Sequence, residues 1–189
     1  MTSGEDAGDR EPGGDGRESW AWILTALDAE ELDQQPGEVR YAFRIGSWWF
    51  LVPLDLQAEV APRQTCSRLP FTPTWCLGLS NYRGDLVPVY ELGELIEERR
   101  GPGTGSYFLM LGRRDRRAGL CIDEIRSLRI PPDTGSVPLY PMRNFPDDLE
   151  CRGIRIEGTL FAEVDLAEIL GMLTERASLL GTSAPCSED

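Results

Sequence analysis

Arg83 is the residue whose chemistry is hardest to explain by folding alone. It stands in Asn81-Tyr82-Arg83-Gly84-Asp85, between two apolar runs. Asn81 suits a turn because its side chain bonds nearby backbone, and Gly84 because it accepts positive φ. A turn needs no guanidinium, whereas a planar fork of N–H donors suits carboxylates and partner surfaces, which makes Arg83 a candidate contact residue. Glu59, at the end of an earlier apolar run, offers a carboxylate that either braces Arg83 or meets a basic group on a partner. As an exposed pair the two would contribute only about 0–1 kcal/mol. Arg113, Arg114, Arg116 and Arg117 surround Asp115 without interleaved aromatic residues. They read first as a solvated turn, with steering of an acidic partner, or of the chain's own acidic N-terminal region, as the alternative.

Covalent and acid–base chemistry finds few candidates. The 189 residues contain no His, and all 19 basic residues are Arg. Serine or cysteine triads therefore lack a base, and neither a P-loop nor a Schiff base has its lysine. Cys66, Cys76, Cys121, Cys151 and Cys186 show no C-x-x-C spacing and read as free thiols of a reducing compartment. Asp147-Asp148 and Glu97-Glu98 read as solvated charge. No enzyme, cofactor or metal is expected. A net charge of −13 repels phosphate backbones, so no nucleic acid is expected either. No apolar stretch approaches the roughly 18 residues that span a bilayer, and no signal peptide is evident, so a cytoplasmic protein without direct membrane insertion is expected.

The elements that must position these residues follow from periodicity. Residues 1–18 are Gly-rich and acidic, and an acidic disordered tail is expected there. Ser19 offers an N-cap, and Trp20, Ile23, Leu24 and Leu27 share one helical face before Pro36-Gly37, which predicts an amphipathic helix over 19–35. That helix either packs on its own domain or docks to another subunit. Up to Glu38 the chain carries eleven acidic residues against two Arg, so −9 of the −13 belongs to this extension. From Val39 the period becomes that of strands. Val39–Ile45, Trp48–Leu54, Gln57–Val60, Trp75–Asn81 and Leu86–Tyr90 form one set. Ser106–Leu111, Ala118–Ile122, Ile125–Ile130, Cys151–Glu157 and Thr159–Val164 form a second set after the Gly101–Gly105 linker. Asp133–Leu149 reads as a long connection, Leu166–Leu180 as a closing helix, and 181–189 as a polar tail. Two such sets suggest two small barrels, although strand spacing alone also permits a single sandwich.

The run from Glu59 to Val89 resembles the signature of CheW-like coupling domains, the adaptors of bacterial chemosensory arrays. The matching elements are Glu59-Val60, Leu69-Pro70 with Pro73, Gly78 with Asn81 and Arg83-Gly84, and Leu86 to Val89. Weaker similarity extends over about 38–173, from Tyr41–Gly46 and Trp49–Pro53 to Leu120–Ile125, Ile130–Pro132, Arg152–Ile154 and Val164–Leu166. The resemblance implies a mainly β fold of two five-stranded SH3-like β-barrels, barrel one at about 38–100 and barrel two at about 106–165, with a closing helix at 166–180. It further implies a partner-binding site of Leu56, Glu59, Asn81, Arg83, Gly84 and Leu86. The partners so implied are a chemoreceptor's cytoplasmic tip and a histidine kinase's CheW-like regulatory domain, with association to the membrane only through receptor arrays. Thr72-Pro73-Thr74-Trp75 resembles the PilI branch, which serves type IV pilus control; Trp75 reads equally as core filling. Pro70, Pro73 and Pro88 read as rigid-turn residues. Ala58 departs from the larger β-branched residue common in the family there. Two other readings stay open: an orphan CheW-like module with a non-kinase partner, and a binder of a small apolar ligand inside one barrel.

Overall fold

The computed structural model describes residues 36–96, 105–113, 116–139 and 149–181. The expected tail and helix of 1–35, Gly101–Thr104 of the linker, Arg114, Asp115, both acidic pairs and 182–189 lie outside these residues. Eleven strands and a C-terminal helix make up the described fold: β1 (Glu38–Ile45), β2 (Trp48–Leu51), β3 (Ala58–Pro62), β4 (Cys76–Tyr82), β5 (Asp85–Tyr90), β6 (Tyr107–Leu111), β7 (Ala118–Ile122), β8 (Glu124–Ile130), β9 (Ser136–Pro138), β10 (Cys151–Ile156), β11 (Thr159–Val164) and α1 (Leu166–Gly181). All ten expected strands occur; β4 alternates, burying Cys76, Gly78, Ser80 and Tyr82 and leaving the intervening residues less covered, whereas β7 is a short apolar run buried throughout.

The strands form two mixed sheets. One has the order β8-β1-β2-β11-β10-β9 and the other β3-β6-β7-β5-β4. This corrects two expectations. One sheet has six strands rather than five, its sixth being β9, a short edge strand inside the expected 133–149 connection. The sheets also do not divide at the Gly-rich linker: the chain leaves the first sheet after β2, builds all of the second with β3 to β7, and returns at β8. The return takes a single residue, Asp123, whose Oδ2 accepts from the Gly46 N–H at 2.7 Å. Parallel pairing of β11 with β2 and of β7 with β5 joins segments far apart in sequence, which local alternation does not encode.

Three apolar clusters result. The largest lies where α1 meets both sheets and contains Phe43, Phe50, Leu109, Leu120, Leu166 and Leu173. A second, inside the curl of the five-stranded sheet, holds Ala61, Tyr82, Val87, Val89, Phe108, Met110 and Cys121. The third packs Ala42, Leu51, Leu128, Ile154 and Phe161 against the six-stranded sheet. Asp165 caps α1 through the Glu168 N–H at 2.9 Å, and Leu166, Ile169, Leu170 and Leu173 present its buried stripe. Each such Leu or Ile contributes about 1.5–3 kcal/mol by leaving water. Tyr90 ties β5 to α1 through a 3.0 Å hydrogen bond with the Thr174 hydroxyl, and Trp75 packs on the Tyr90 ring at 5.9 Å. No helix among the described residues is long and apolar enough to cross a membrane.

Pro88 is a further correction: it lies within β5 opposite Leu79, not in a turn. The β7 ladder covers only Val89 and Tyr90, so the missing N–H falls where β5 has no β7 partner.

Candidate functional site

The site assembles around Glu59, on the outer strand β3. Tyr82 ends β4, the strand at the opposite edge of the same sheet, and Arg83 follows it in a two-residue hairpin to β5. Arg83 and Gly84 both take left-handed backbone, at φ of 55° and 88°. That combination matches the right-handed twist of the flanking strands. Asn81 Oδ1 accepts from the Gly84 N–H at 3.1 Å and locks the turn.

The sheet curls, and the connection after β3 reaches the β4 edge. Ser67, in the connection after β3, exchanges two backbone hydrogen bonds with Leu79 of β4, at 2.8 and 2.9 Å. Gly78 makes this approach possible, since a Cβ there would sit 2.2 Å from the Ser67 carbonyl oxygen. Curling brings Glu59 Oε2 to 2.8 Å from the Tyr82 hydroxyl and 2.9 Å from Arg83 Nη1. Arg117, just before β7, reaches Glu59 Oε1 at 3.6 Å. Both guanidinium carbons lie 5.2 Å from the Tyr82 ring centroid. Burial, then the hydrogen bond to Glu59 and its negative charge, push the Tyr82 phenol up to about 12, against the opposing pull of Arg83 and Arg117.

Beside this cluster runs a groove lined by Leu54, Leu56, Leu86, Pro88 and, on α1, Leu170 and Gly171. Leu54 and Leu86 are 67% and 69% exposed, an unusual cost for two leucines facing one depression. Of the residues expected at the site, Glu59 and Arg83 touch directly. Leu56 and Leu86 share the groove, and Asn81 and Gly84 shape the turn that carries Arg83. Tyr82, Arg117 and Leu54 belong here too, although the sequence reading does not single them out. The alternation of β4 does turn Tyr82 inward. No comparable signal marks Arg117: it sits in the arginine run expected to be solvated, yet its side chain is only 8% exposed. Arg113 and Arg116 of that run are exposed as expected.

The family described as CheW-like domain matches residues 41–135, half of the chain and all of the Glu59–Arg83 region. The chain belongs to this family. Its CheW-like sequence is 32% identical to Protein PilI of Pseudomonas aeruginosa over 102 residues, 53% of this chain and 57% of PilI. It is 29% identical to Protein FrzA of Myxococcus xanthus over 107 residues, 55% of this chain and 66% of FrzA. The chain thus spans less than two thirds of either relative. The fold is similar to that of the scaffolding protein TtCheW from Thermoanaerobacter tengcongensis, with a TM-score of 0.56 at 19% identity over 69% of this chain and 90% of TtCheW. In this CheW-like chain the ion-paired hairpin tip of Arg83 and Glu59 stands beside an apolar groove lined by Leu56 and Leu86.

Proposed function

We propose that this CheW-like protein is a non-enzymatic adaptor that couples chemoreceptors to a histidine kinase in a bacterial chemosensory array, one that controls type IV pili. The observation that supports the reading is the hairpin tip, where Asn81, Arg83, Gly84 and Leu86 are exposed beside the groove. Similarity to PilI supports the pilus system, and similarity to FrzA supports a chemosensory role more broadly. In this reading a receptor's cytoplasmic hairpin lies along the groove, against Leu56 and Leu86, and the kinase's own CheW-like regulatory domain packs on the barrel-like sheets. Receptor state reaches the kinase as a shift among interface arrangements, which requires that the two states differ in contact energy. Association with the membrane is through the receptors.

Affinity capture from native cytoplasm with mass-spectrometric identification tests this. The expected result is recovery of a histidine kinase and methyl-accepting receptors by wild type, and their loss with Leu86→Glu. A reproducible partner set without a kinase overturns the coupling role in favour of an orphan CheW-like module.

A further inference from the structure

Glu59 is held by two arginines of different character, one on each carboxylate oxygen. On Oε2 the Tyr82 hydroxyl donates at 2.8 Å and Arg83 Nη1 lies at 2.9 Å. On Oε1 Arg117 Nη2 forms an ion pair at 3.6 Å, beside the Gln57 amide at 3.4 Å. The Arg117 side chain is 8% exposed, that of Glu59 22% and that of Arg83 52%. Arg117 is therefore committed by its surroundings, while Arg83 reaches Glu59 from water and from a hairpin tip. A carboxylate stripped of its only cation in a half-buried site is strongly destabilised; one that keeps a buried cation and a hydroxyl donor is not.

We propose that Arg117 and Tyr82 form a fixed cradle for Glu59, and that Arg83 is a transferable arm which leaves Glu59 for a carboxylate on an acidic partner segment docking beside Leu86. The transfer rests on the coupling function proposed above; the cradle does not. Exchange of one carboxylate for another costs Arg83 little, because both arrangements satisfy the same fork. Glu59 keeps Arg117 throughout, so docking strands no buried charge. Arg117 and Tyr82 are positioning residues here: they act through Glu59, although Arg117 also lines the groove beside Leu86.

A double-mutant cycle on the full chain tests the cradle without any partner. Melting temperatures are measured for Arg117→Gln, Arg83→Gln and Glu59→Gln, and for each arginine variant combined with Glu59→Gln. Arg117→Gln is expected to lower the melting temperature by about 3–6 °C with Glu59 present and clearly less with Gln at 59, and Arg117→Lys to recover part of the loss. Arg83→Gln is expected to shift it by less than about 2 °C in both backgrounds. Equal losses for Arg117→Gln in both backgrounds would make Arg117 mere packing, and a larger Glu59–Arg83 coupling would reverse the assignment; either overturns the cradle. Binding of the cytoplasmic hairpin of a methyl-accepting receptor tests the transfer. Arg83→Gln should weaken it about tenfold or more, whereas Glu59→Gln, which releases Arg83 beforehand, should tighten it a few-fold. Weaker binding by Glu59→Gln overturns the transfer. Failure of the wild type to bind overturns the coupling function and the transfer with it, while the melts still decide the cradle.

Discussion

The Tyr82 hydroxyl donates a 2.8 Å hydrogen bond to Glu59 Oε2 although the two residues sit on strands at opposite ends of the β3-β6-β7-β5-β4 order. A flat sheet of five strands would hold them roughly 19 Å apart at about 4.8 Å per strand. The bond therefore reports how tightly this sheet curls, and it joins the apolar interior of the curl to the charged patch outside. Tyr82 contributes its ring to the first and its hydroxyl to the second.

That bond has a measurable pH signature. An unfolded tyrosine ionises near 10, whereas Tyr82 is held up to about 12 in the fold, first by burial and then by Glu59. Below pH 10 the phenol is protonated in both states and the stabilisation is complete. Above that the unfolded chain loses the proton first, so stability falls as pH rises from about 10 to about 12, by about 2–3 kcal/mol in all. Burial raises the Tyr90 phenol as well and contributes in the same direction. The readout is accordingly the difference between wild type and Tyr82→Phe in urea unfolding at pH 9 and pH 11; identical slopes would contradict the assignment.

Gly78→Ala should be among the most damaging single changes in the second sheet. The added Cβ would meet three backbone atoms, Ser67 O at 2.2 Å, Ser67 C at 2.7 Å and Arg68 Cα at 2.9 Å, none of which can swing aside. Gly78 also sits at φ 115°, where a side chain is strained. A loss of about 3 kcal/mol or more is expected in urea unfolding, with faster amide exchange at Ser67 and Leu79 as their paired hydrogen bonds break.

Gly78 also marks the limit of what is legible in the chain. It is recognisable as part of a motif, but the reason for it, a backbone from eleven residues earlier passing across β4, appears only once the sheet curls. The strands themselves are legible because alternation is local. Ser136–Pro138 is not, since all three residues are exposed and no burial pattern marks them. Neither is the division of strands between sheets, which depends on parallel pairings such as Val89 with Gly119. Glu59 and Arg83 can be paired from the motif, whereas Arg117 joins them through curvature that its arginine-rich neighbourhood gives no hint of.

Arg126 carries a different kind of contact. Its guanidinium carbon lies 4.1 Å from the Trp49 ring centroid and 5.3 Å from that of Phe161, which bridges β8 to β2 and β11 across β1. Desolvated cation–π pairs of this kind contribute about 1–2 kcal/mol. Arg126→Ala is expected to lose about that much and Arg126→Met less, because a methionine keeps apolar cover over the indole. Equal losses for the two would show that the charge contributes more than the cover.

Arg83→Gly separates folding from function most cleanly. A non-glycine residue at φ 55° carries a cost of about 1–2 kcal/mol, and an ion pair as exposed as Arg83 with Glu59 returns only about 0–1 kcal/mol. Removing both should leave the fold as stable as wild type or slightly more so. The hairpin between β10 and β11 supplies a control, because Glu157 and Gly158 repeat the same backbone at φ of 49° and 82° and Glu157 has no matching place in the motif. Glu157→Gly should therefore stabilise by a comparable amount with partner capture intact, while Arg83→Gly should stabilise or hold steady and lose it. Arg83→Glu is the poorer probe, since it would set a second carboxylate against Glu59. A loss of more than about 1 kcal/mol in Arg83→Gly would make the arginine structural; strain tolerated at the hairpin tip without a folding benefit is what a contact residue requires.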